Sequence, residues 1–230
     1  FHAGQTDAGE KSYARIMRIA IHPHLQQQGL GRWFVTKLTK WATSKGYDFL
    51  GVSFGLTKDL GRFWQQQGLA LVHLGLSQDN ASGCHSALML RALQPQQHAW
   101  LKQCQQHFIK QLGEYFSGPL RQLAVEVSYF LLCMIEKMPA SSPLVAILQT
   151  YLYHHRPLEF VQPQIKHWLI QHAQIDDATE SEQAVLVRLI LQQQTWSEAI
   201  VGTSLTGKKA AQTCLKTYLQ RYIPAPTADD

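Results

Sequence analysis

The hydrophobic and polar positions along the chain change their period near residue 93. Before that point, short apolar runs alternate with stretches whose apolar residues recur every three or four positions. This is the pattern of alternating strands and helices. After Pro95 the helical period continues almost without a break. The pattern predicts an α/β domain over residues 1–93, followed by an all-α helical tail over residues 94–230.

Four strands and two helices are predicted in the first region. The segment 15–22 (RIMRIAIH) is rich in isoleucine and is stopped by Pro23, which cannot donate to a sheet ladder. Thr57 has the side chain of a helix N-cap, and Gly68 suits the end of the same helix. The polar segment 77–86 predicts that the last two strands form an antiparallel pair. The strands are predicted at residues 15–22, 49–54, 69–74 and 87–93, and the helices at 31–44 and 57–67.

The tail is predicted to contain neighbouring antiparallel helices, because the loops between its helical segments are short. Pro119 and Pro143 each stand where a first-turn proline belongs. The predicted helices span residues 97–116, 119–137, 143–154, 163–174, 180–194, 196–202 and 207–221.

Composition excludes several classes of protein. Hydrophobic residues make up 45% of the 230 positions, so the chain can bury a core and is not wholly disordered. No apolar run reaches the roughly 18 residues of a membrane helix, and the N-terminus has no apolar signal core. Four separated cysteines without a C-x-x-C pair fit a reducing compartment, so we expect a cytoplasmic protein. The scatter of these cysteines and of the 11 histidines predicts no metal site.

The net charge of +5 is distributed unevenly. Residues 1–93 hold 10 Lys or Arg against 5 Asp or Glu, whereas residues 94–230 hold 11 of each sign. Basic clusters suit the phosphates of a nucleotide cofactor or of RNA, although solvated helix faces have the same composition. Within the neutral part, the acid-free segment 207–222 carries Lys208, Lys209, Lys216 and Arg221.

The junction between the first predicted strand and the helix at 31–44 carries the most chemistry. There Gln26-x-x-Gly29-x-Gly31 stands directly before the helix. Glycines at such a turn let backbone N–H groups approach an anion, and the helix directs its positive end at the same place. Arg32 adds charge. The arrangement predicts a pyrophosphate-binding turn, without the third glycine of the dinucleotide fingerprint or the G-K-[ST] of a Walker loop.

This junction resembles the core motif of the GCN5-related N-acetyltransferase (GNAT) superfamily, in which a strand, Q/R-x-x-G-x-G/A and a helix bind the pyrophosphate of acetyl-CoA. The downstream order of helix, strand, helix and strand pair fits as well. The resemblance implies acetyl-CoA as the cofactor. Arg62 and Trp64 are further candidates, with a surface arginine and a packing residue as their alternatives. The implied cofactor-binding residues are Ile19, Ala20, Ile21, Gln26, Gln27, Gln28, Gly29, Leu30, Gly31, Arg32, Arg62 and Trp64.

A narrower resemblance covers residues 15–93. The motifs RIAIHP, Q-x-x-G-x-G-R, VSFG, L-x-RFW and SGC together resemble the RNA cytidine acetyltransferase family, particularly its bacterial tRNA(Met) members. That family acetylates the exocyclic amine of a cytidine, which implies tRNA as the partner and the wobble position of elongator tRNA(Met) as the target. The helical tail resembles the family's C-terminal tail in position and character.

The same resemblance implies a C-terminal fragment. Family members carry an upstream helicase-like module that uses ATP or GTP, together with the early strands of the acetyltransferase fold. Neither is found in this sequence, which also has no initiating Met. We therefore expect the C-terminal half of a GNAT fold with a mixed sheet, followed by the all-α tail. The upstream module is an expected partner.

Candidates for acid–base chemistry are few. The exocyclic amine of cytidine is weakly nucleophilic, so a general base or a water relay would assist its attack on the thioester. His22, directly after the cofactor strand, is the main candidate, with capping of the strand end as its alternative. His85 is a weaker one. Cys84 lacks the His and acid partners of an activated nucleophile and is better explained by loop packing.

The superfamily's usual proton donor to the leaving thiolate is a Tyr in a Phe-Tyr pair. Here the pair is Phe63-Trp64, and the indole of Trp is not a useful acid. The loss of this donor leaves the thiolate to depart unprotonated.

The basic residues of the tail, Lys208, Lys209, Lys216 and Arg221, are expected to contact RNA phosphates, with a plain surface helix as the alternative. Two rival functions remain. A protein or small-amine N-acetyltransferase would have no need of the helical tail. An RNA-binding adaptor with a degenerate cofactor site would not need the intact turn of Gln26, Gly29 and Gly31.

Overall fold

The computed structural model describes residues 4–173 and 177–226. The chain divides into two compact units, residues 1–110 and 111–230. The sheet lies in the first unit and ends at Ala92, one residue before the predicted end of the last strand. The division itself falls later, within the first helix after the sheet. No helix in the described part of the chain has the length and apolar character needed to cross a bilayer.

Strands and helices alternate through the first unit. The strands form a mixed four-stranded sheet with the order β1-β2-β4-β3, in which β1 is parallel to β2 and the other pairs are antiparallel. This confirms the predicted α/β fold with a mixed sheet. The elements are β1 (Tyr13–Ile16), α1 (Leu30–Ser44), β2 (Phe49–Gly55), α2 (Lys58–Gln66), β3 (Ala70–Gln78), β4 (His85–Ala92) and α3 (His98–Ser117).

The first strand is shorter than predicted. β1 pairs with β2 as far as Ile16, and the residues that follow lie outside the sheet. Ile16 is buried, whereas Met17 and Arg18 are both exposed, so the alternation that a half-buried strand requires breaks at this point. The strand predicted at 15–22 is therefore wrong from Met17 onward, including Ile19, Ala20 and Ile21.

Different helices cover the two faces of the sheet. On one face, Trp64 of α2 packs against Phe54 of β2, with ring centroids 6.3 Å apart. On the other face, Phe49 belongs to a buried cluster that includes Leu101 and Cys104 of α3. Burial raises the pKa of the Cys104 thiol to about 11. Because α3 completes this core, the first unit extends beyond the sheet.

The ends of the two helices beside the sheet follow the predicted signals. The hydroxyl of Thr57 accepts a hydrogen bond from the N–H of Leu60 at 3.3 Å, which confirms the predicted N-cap of α2. Gly68 has a φ of +77° just beyond the end of that helix. Gly29, with a φ of +80°, stands at the N-cap of α1.

The second unit is helical over its described residues. Pro143 lies in the first turn of its helix, as predicted, but Pro119 lies in a turn, and the helix predicted at 119–137 begins only at Val125. The predicted end of the helix at 163–174 falls outside the described residues. The elements after α3 are α4 (Val125–Cys133), α5 (Ser142–Tyr153), α6 (Gln162–Gln171), α7 (Glu180–Ala184), a π-helical segment (Val185–Leu191), α8 (Trp196–Ala199) and α9 (Lys208–Gln220).

The π-helical segment Val185–Leu191 replaces the second half of the helix predicted at 180–194. Six of its seven residues are buried, so it runs through the core of the second unit. The amide of the next residue, Gln192, is 1% exposed and donates to the carbonyl oxygen of Leu123 at 2.7 Å. This carbonyl oxygen, which also accepts from the hydroxyl of Ser128 at 3.3 Å, is thus satisfied by side chains.

Candidate functional site

The strands β1 and β2 stop pairing at one end of the sheet, and we call them the parted strands. Their ladder stops at Ile16 opposite Val52, whereas β2 continues to Gly55. Beyond the ladder, Ile19 and Ala20 make no backbone hydrogen bond to any residue in the described ranges. The chain therefore offers unused backbone donors and acceptors next to the parted strands, where a ligand could take them up.

A turn held by hydrogen bonds from two glutamine side chains lies between β1 and α1. The side-chain amide of Gln26 donates to the carbonyl oxygen of Ile21 at 3.0 Å, and that of Gln28 donates to the carbonyl oxygen of His24 at 2.9 Å. Gln27, between them, has a φ of +60°. Gln26 and Gln28 thus fix the backbone of the turn, rather than presenting their amides outward.

The N-terminus of α1 is open to solvent. Gly29 caps it without a side chain, and the first helical hydrogen bond runs from the N–H of Trp33 to the carbonyl oxygen of Gly29 at 2.9 Å. The N–H groups of Leu30, Gly31 and Arg32 precede that bond and carry the positive end of the helix dipole. Gly29, Leu30 and Arg32 are exposed and a Cβ built at Gly29 would meet nothing within 4 Å, so an anion has access to this end of the helix.

Gly31 has a different reason to be glycine. A Cβ at this position would stand 3.2 Å from the ring of Phe63 on α2. The absence of a side chain lets α1 and α2 approach closely at the start of α1. The motif therefore combines one glycine for the turn with one glycine for helix packing.

The two arginine candidates of the site are exposed, whereas the tryptophan candidate is buried. Arg32 is exposed and lines an open groove with Gln66 and Arg91. Arg62 is exposed on α2. Trp64 is 3% exposed, and its ring centroid lies 4.9 Å from that of Phe63, so the structure supports its alternative role as a packing residue.

His22 lies at the start of the turn. Its Nδ1 accepts a hydrogen bond from the N–H of His24 at 3.4 Å, and the two rings are 5.3 Å apart. The side chain is exposed. His22 therefore caps the short 3₁₀ turn that begins at Pro23, which is close to the capping alternative given for it.

His85 and Cys84, the other two candidates for a part in the chemistry, contact backbone carbonyl groups of their own strand pair and loop. His85 is 6% exposed, and its Nδ1 lies 2.7 Å from the carbonyl oxygen of Gly75, across an irregularity in the pairing of β3 and β4. The Sγ of Cys84 lies 3.5 Å from the carbonyl oxygen of Ser82. Asp79 organises this loop by accepting from the backbone and hydroxyl of Ser82 and from Ala81, which lowers the pKa of its carboxyl.

A cavity of about 580 Å³ lies on the sheet face that α3 partly covers. Arg15 and Ser53, on either side of the point where the strands part, both line it, together with Gly51 and Ser86. Sequence reasoning missed these residues. The period of two in β1 and β2 could have found them, because they alternate with the buried residues of the opposite face.

The four basic residues of the tail do not share one environment. Lys208 and Lys209 are exposed at the N-terminus of α9, and the Nζ of Lys208 lies 5.6 Å from the ring centroid of Trp196. The Nζ of Lys216 lies 4.9 Å from the ring centroid of Tyr151. Arg221 pairs with the carboxylates of Glu182 and Asp177 and stacks on Tyr218.

Comparison with known proteins identifies relatives of the chain. Residues 43–94 match the family model described as GNAT acetyltransferase 2. The relatives include several proteins with the name tRNA(Met) cytidine acetyltransferase TmcA. That of Nitrosococcus halophilus is 31% identical over 96% of this chain and 31% of its own length. That of Vibrio cholerae is 30% identical over 93% of this chain and 29% of its own length. That of Haemophilus influenzae is 42% identical over 40% of this chain and 14% of its own length.

The chain spans about a third of the length of the first two relatives. The family-model match covers the segment from the end of α1 to the end of β4, where the observed order of elements is the predicted one. The chain is thus a relative of the tRNA(Met) cytidine acetyltransferases and carries a GNAT acetyltransferase domain.

Proposed function

We propose that this chain binds acetyl-CoA at the N-terminus of α1 and transfers its acetyl group to the exocyclic amine of a cytidine in tRNA. One observation carries the cofactor part: the open N-terminus of α1 follows a short turn, and before that turn the backbone of Ile19 and Ala20 has left the sheet and makes no backbone hydrogen bond within the described ranges. The names of the relatives support cytidine in tRNA(Met) as the acceptor.

The cofactor is held mainly by backbone groups. The N–H groups of Leu30, Gly31 and Arg32 bind the pyrophosphate, and the Arg32 guanidinium adds a positive charge. The backbone of Ile19 and Ala20 holds the pantetheine arm, as a strand would. Gln26 keeps the turn in shape through its bond to Ile21. Bound acetyl-CoA supplies an activated acetyl group, and the protein contributes positioning.

The acceptor amine approaches the acetyl group from the face of the sheet that α3 partly covers. The cavity lined by Arg15 and Ser53 adjoins the parted strands and is large enough for a nucleobase. In the reaction, the amine nitrogen bonds to the acetyl carbon, the carbon–sulfur bond breaks, and the amine loses one proton. His22, at the start of the turn before α1, is the proposed proton acceptor, through water or directly.

Three broader parts of the proposal go beyond what the names of the relatives say. Since the chain spans about a third of their length, we infer a larger protein with an upstream helicase-like module that uses ATP or GTP. The tail contacts tRNA through the exposed Lys208 and Lys209, which stand at a helix N-terminus. The protein works in the cytoplasm, where its tRNA substrate is found.

Nucleoside mass spectrometry of tRNA tests the acceptor. In cells that lack the parent gene, N4-acetylcytidine should disappear from tRNA, and complementation should restore it. Complementation with His22→Ala should lower the acetylated fraction if His22 accepts the proton. Persistence of the acetylated nucleoside at its full level would contradict the RNA acceptor and would favour a protein or small-amine acceptor at the same cofactor turn.

A further inference from the structure

The outward face of α1 exposes large aromatic side chains. Trp33 is 60% exposed and Trp41 is 48% exposed, although isolated tryptophans are seldom left this open on a protein surface. Val35 and Ala42, on the opposite side of the same helix, are buried. Because an α-helix turns by about 100° per residue, Trp33, Lys37 and Trp41 share one face. We call these three residues the aromatic face of α1.

Lys37 follows Trp33 by one helical turn and precedes Trp41 by another on this face. The Nζ of Lys37 is 5.7 Å from the ring centroid of Trp33, within range of a cation–π contact. Lys40 is exposed on the same side of the helix. The surrounding sequence contributes no opposing charge, because residues 18–47 contain five Lys or Arg and no Asp or Glu.

This combination fits RNA better than other partners. Unpaired bases stack on aromatic side chains, and their phosphates bind the lysines between them. A lipid surface would require an unbroken apolar stripe with its cations at the rim, whereas Lys37 stands in the middle of the face. Protein interfaces are depleted of lysine at their centre. The absence of acids over residues 18–47 complements a polyanion.

We propose that the aromatic face of α1 binds single-stranded nucleotides of the tRNA substrate. The proposal rests on the proposed function and deepens it, because it locates the RNA on the same helix whose N-terminus holds acetyl-CoA. Trp41 lies about 16 Å along the helix axis from Leu30, given a rise of about 1.5 Å per residue. RNA on this face and acetyl-CoA at the turn therefore occupy separate stretches of one helix.

Fluorescence anisotropy with a labelled, unmodified elongator tRNA(Met) transcript tests the proposal on the full chain. The double variant Trp33→Ala/Trp41→Ala should bind this RNA at least about tenfold more weakly than the parent chain. Lys37→Ala should weaken binding and reduce the slope of log affinity against log salt by about 0.7 to 1. The matched controls are Phe160→Ala, an exposed aromatic of the second unit, and Lys102→Ala, an exposed lysine of α3.

Acetyl-CoA binding, measured by calorimetry on Trp41→Ala, separates this proposal from the proposed function. Retained acetyl-CoA binding with reduced RNA affinity supports both. Unchanged RNA affinity in the double variant, or equal loss in the two controls, would overturn the aromatic face as an RNA site while leaving the cofactor turn in place. Failure of the parent chain to bind the transcript at low salt, or tighter binding to anionic lipid vesicles than to RNA, would overturn it as well.

Discussion

Two acid-free basic stretches of this chain differ in whether their basic side chains are free on the surface or paired within the fold. Residues 18–47 keep Lys37, Lys40 and two tryptophans of α1 on the surface. Residues 207–222 look equally basic in sequence, but Arg221 is paired with Glu182 and Asp177. The cations of residues 18–47 are therefore available to a polyanion over most of that stretch. In residues 207–222, only the lysines at the start are available.

The difference comes from partners that are remote in sequence. Arg221 and Glu182 are 39 positions apart, and the carboxylate of Glu182, which is 5% exposed, pairs with the partly exposed guanidinium of Arg221. Tyr151, from another helix of the same unit, lies under Lys216. On α1, the contact found for Lys37 is with Trp33 of the same helix. A count of charges along the sequence cannot separate these two situations.

The largest expected contrast concerns tryptophan. Trp168 of α6 is 4% exposed, so Trp168→Ala should destabilise the chain by about 4 kcal/mol, because it opens a cavity in a packed core. Trp41→Ala should cost about 1 kcal/mol or less, since this side chain is half exposed. Urea unfolding followed by circular dichroism measures both. Equal losses would mean that the aromatic face of α1 is a structural element.

The next contrast concerns the basic residues of α9. Arg221→Ala should destabilise the chain by about 1 to 2 kcal/mol, because the buried carboxylate of Glu182 loses its cationic partner and keeps only the hydrogen bonds from the N–H and hydroxyl of Thr179. Lys209→Ala should change stability by less than about 0.5 kcal/mol, since Lys209 is exposed. The same unfolding experiment applies. A neutral Arg221→Ala would remove the distinction drawn between the two basic stretches.

The smallest effect is a difference in acid sensitivity. Burial and the neighbouring His172 lower the pKa of His167 in the second unit below its ordinary value of 6.5. The unfolded chain therefore binds this proton first, and the stability contribution is present above pH 6.5 and is lost as the pH falls through the lowered pKa. His167→Gln should flatten the fall in melting temperature between pH 7 and about pH 5.5.

Asp48 is among the acid-sensitive groups of the first unit, and it responds at a lower pH than His167. Hydrogen bonds from the backbone and hydroxyl of Ser12, and from Gln97, lower the pKa of Asp48 below 3.8. Its contribution is present above that pH and is lost only as the pH falls further. Asp48→Asn should leave the profile above about pH 5 unchanged, measured by scanning calorimetry. A change in the neutral range would contradict this assignment.

Local patterns predicted most of the first unit. The stripe of α1, the N-cap Thr57 and the apolar run of β2 are set by residues close in sequence, and the structure has all three. The end of β1 could not be predicted, because it depends on where pairing with β2 stops. Those strands are separated by more than 30 residues, and Ser12 meets Asp48 at a separation of 36.

The candidate site was predicted in its backbone better than in its side chains. The turn around Gly29 lies where the motif placed it, at the N-terminus of α1. The burial of Trp64 and the contact of Gly31 with Phe63 depend on how α2 packs, which no local pattern encodes. The π-helical segment was missed for a related reason: a continuous apolar run has no period from which a widened helix can be recognised.

The central claim is that the N-terminus of α1 binds acetyl-CoA, and titration calorimetry of the full chain tests it most directly. Arg32→Glu is the sharpest variant, because an acid in the first helical turn favours folding but repels a pyrophosphate. Gly31 is a poorer choice, since a side chain there would also press on Phe63. Lys45→Glu, beyond the far end of the same helix, is the matched control.

We predict that acetyl-CoA binds one site per chain, and that Arg32→Glu weakens this binding at least about thirtyfold, about 2 kcal/mol. Lys45→Glu should bind as the parent chain does, since it lies about 20 Å along the axis from Arg32 and beyond the screening length at physiological salt. Equal affinities for the parent chain and Arg32→Glu would contradict the account.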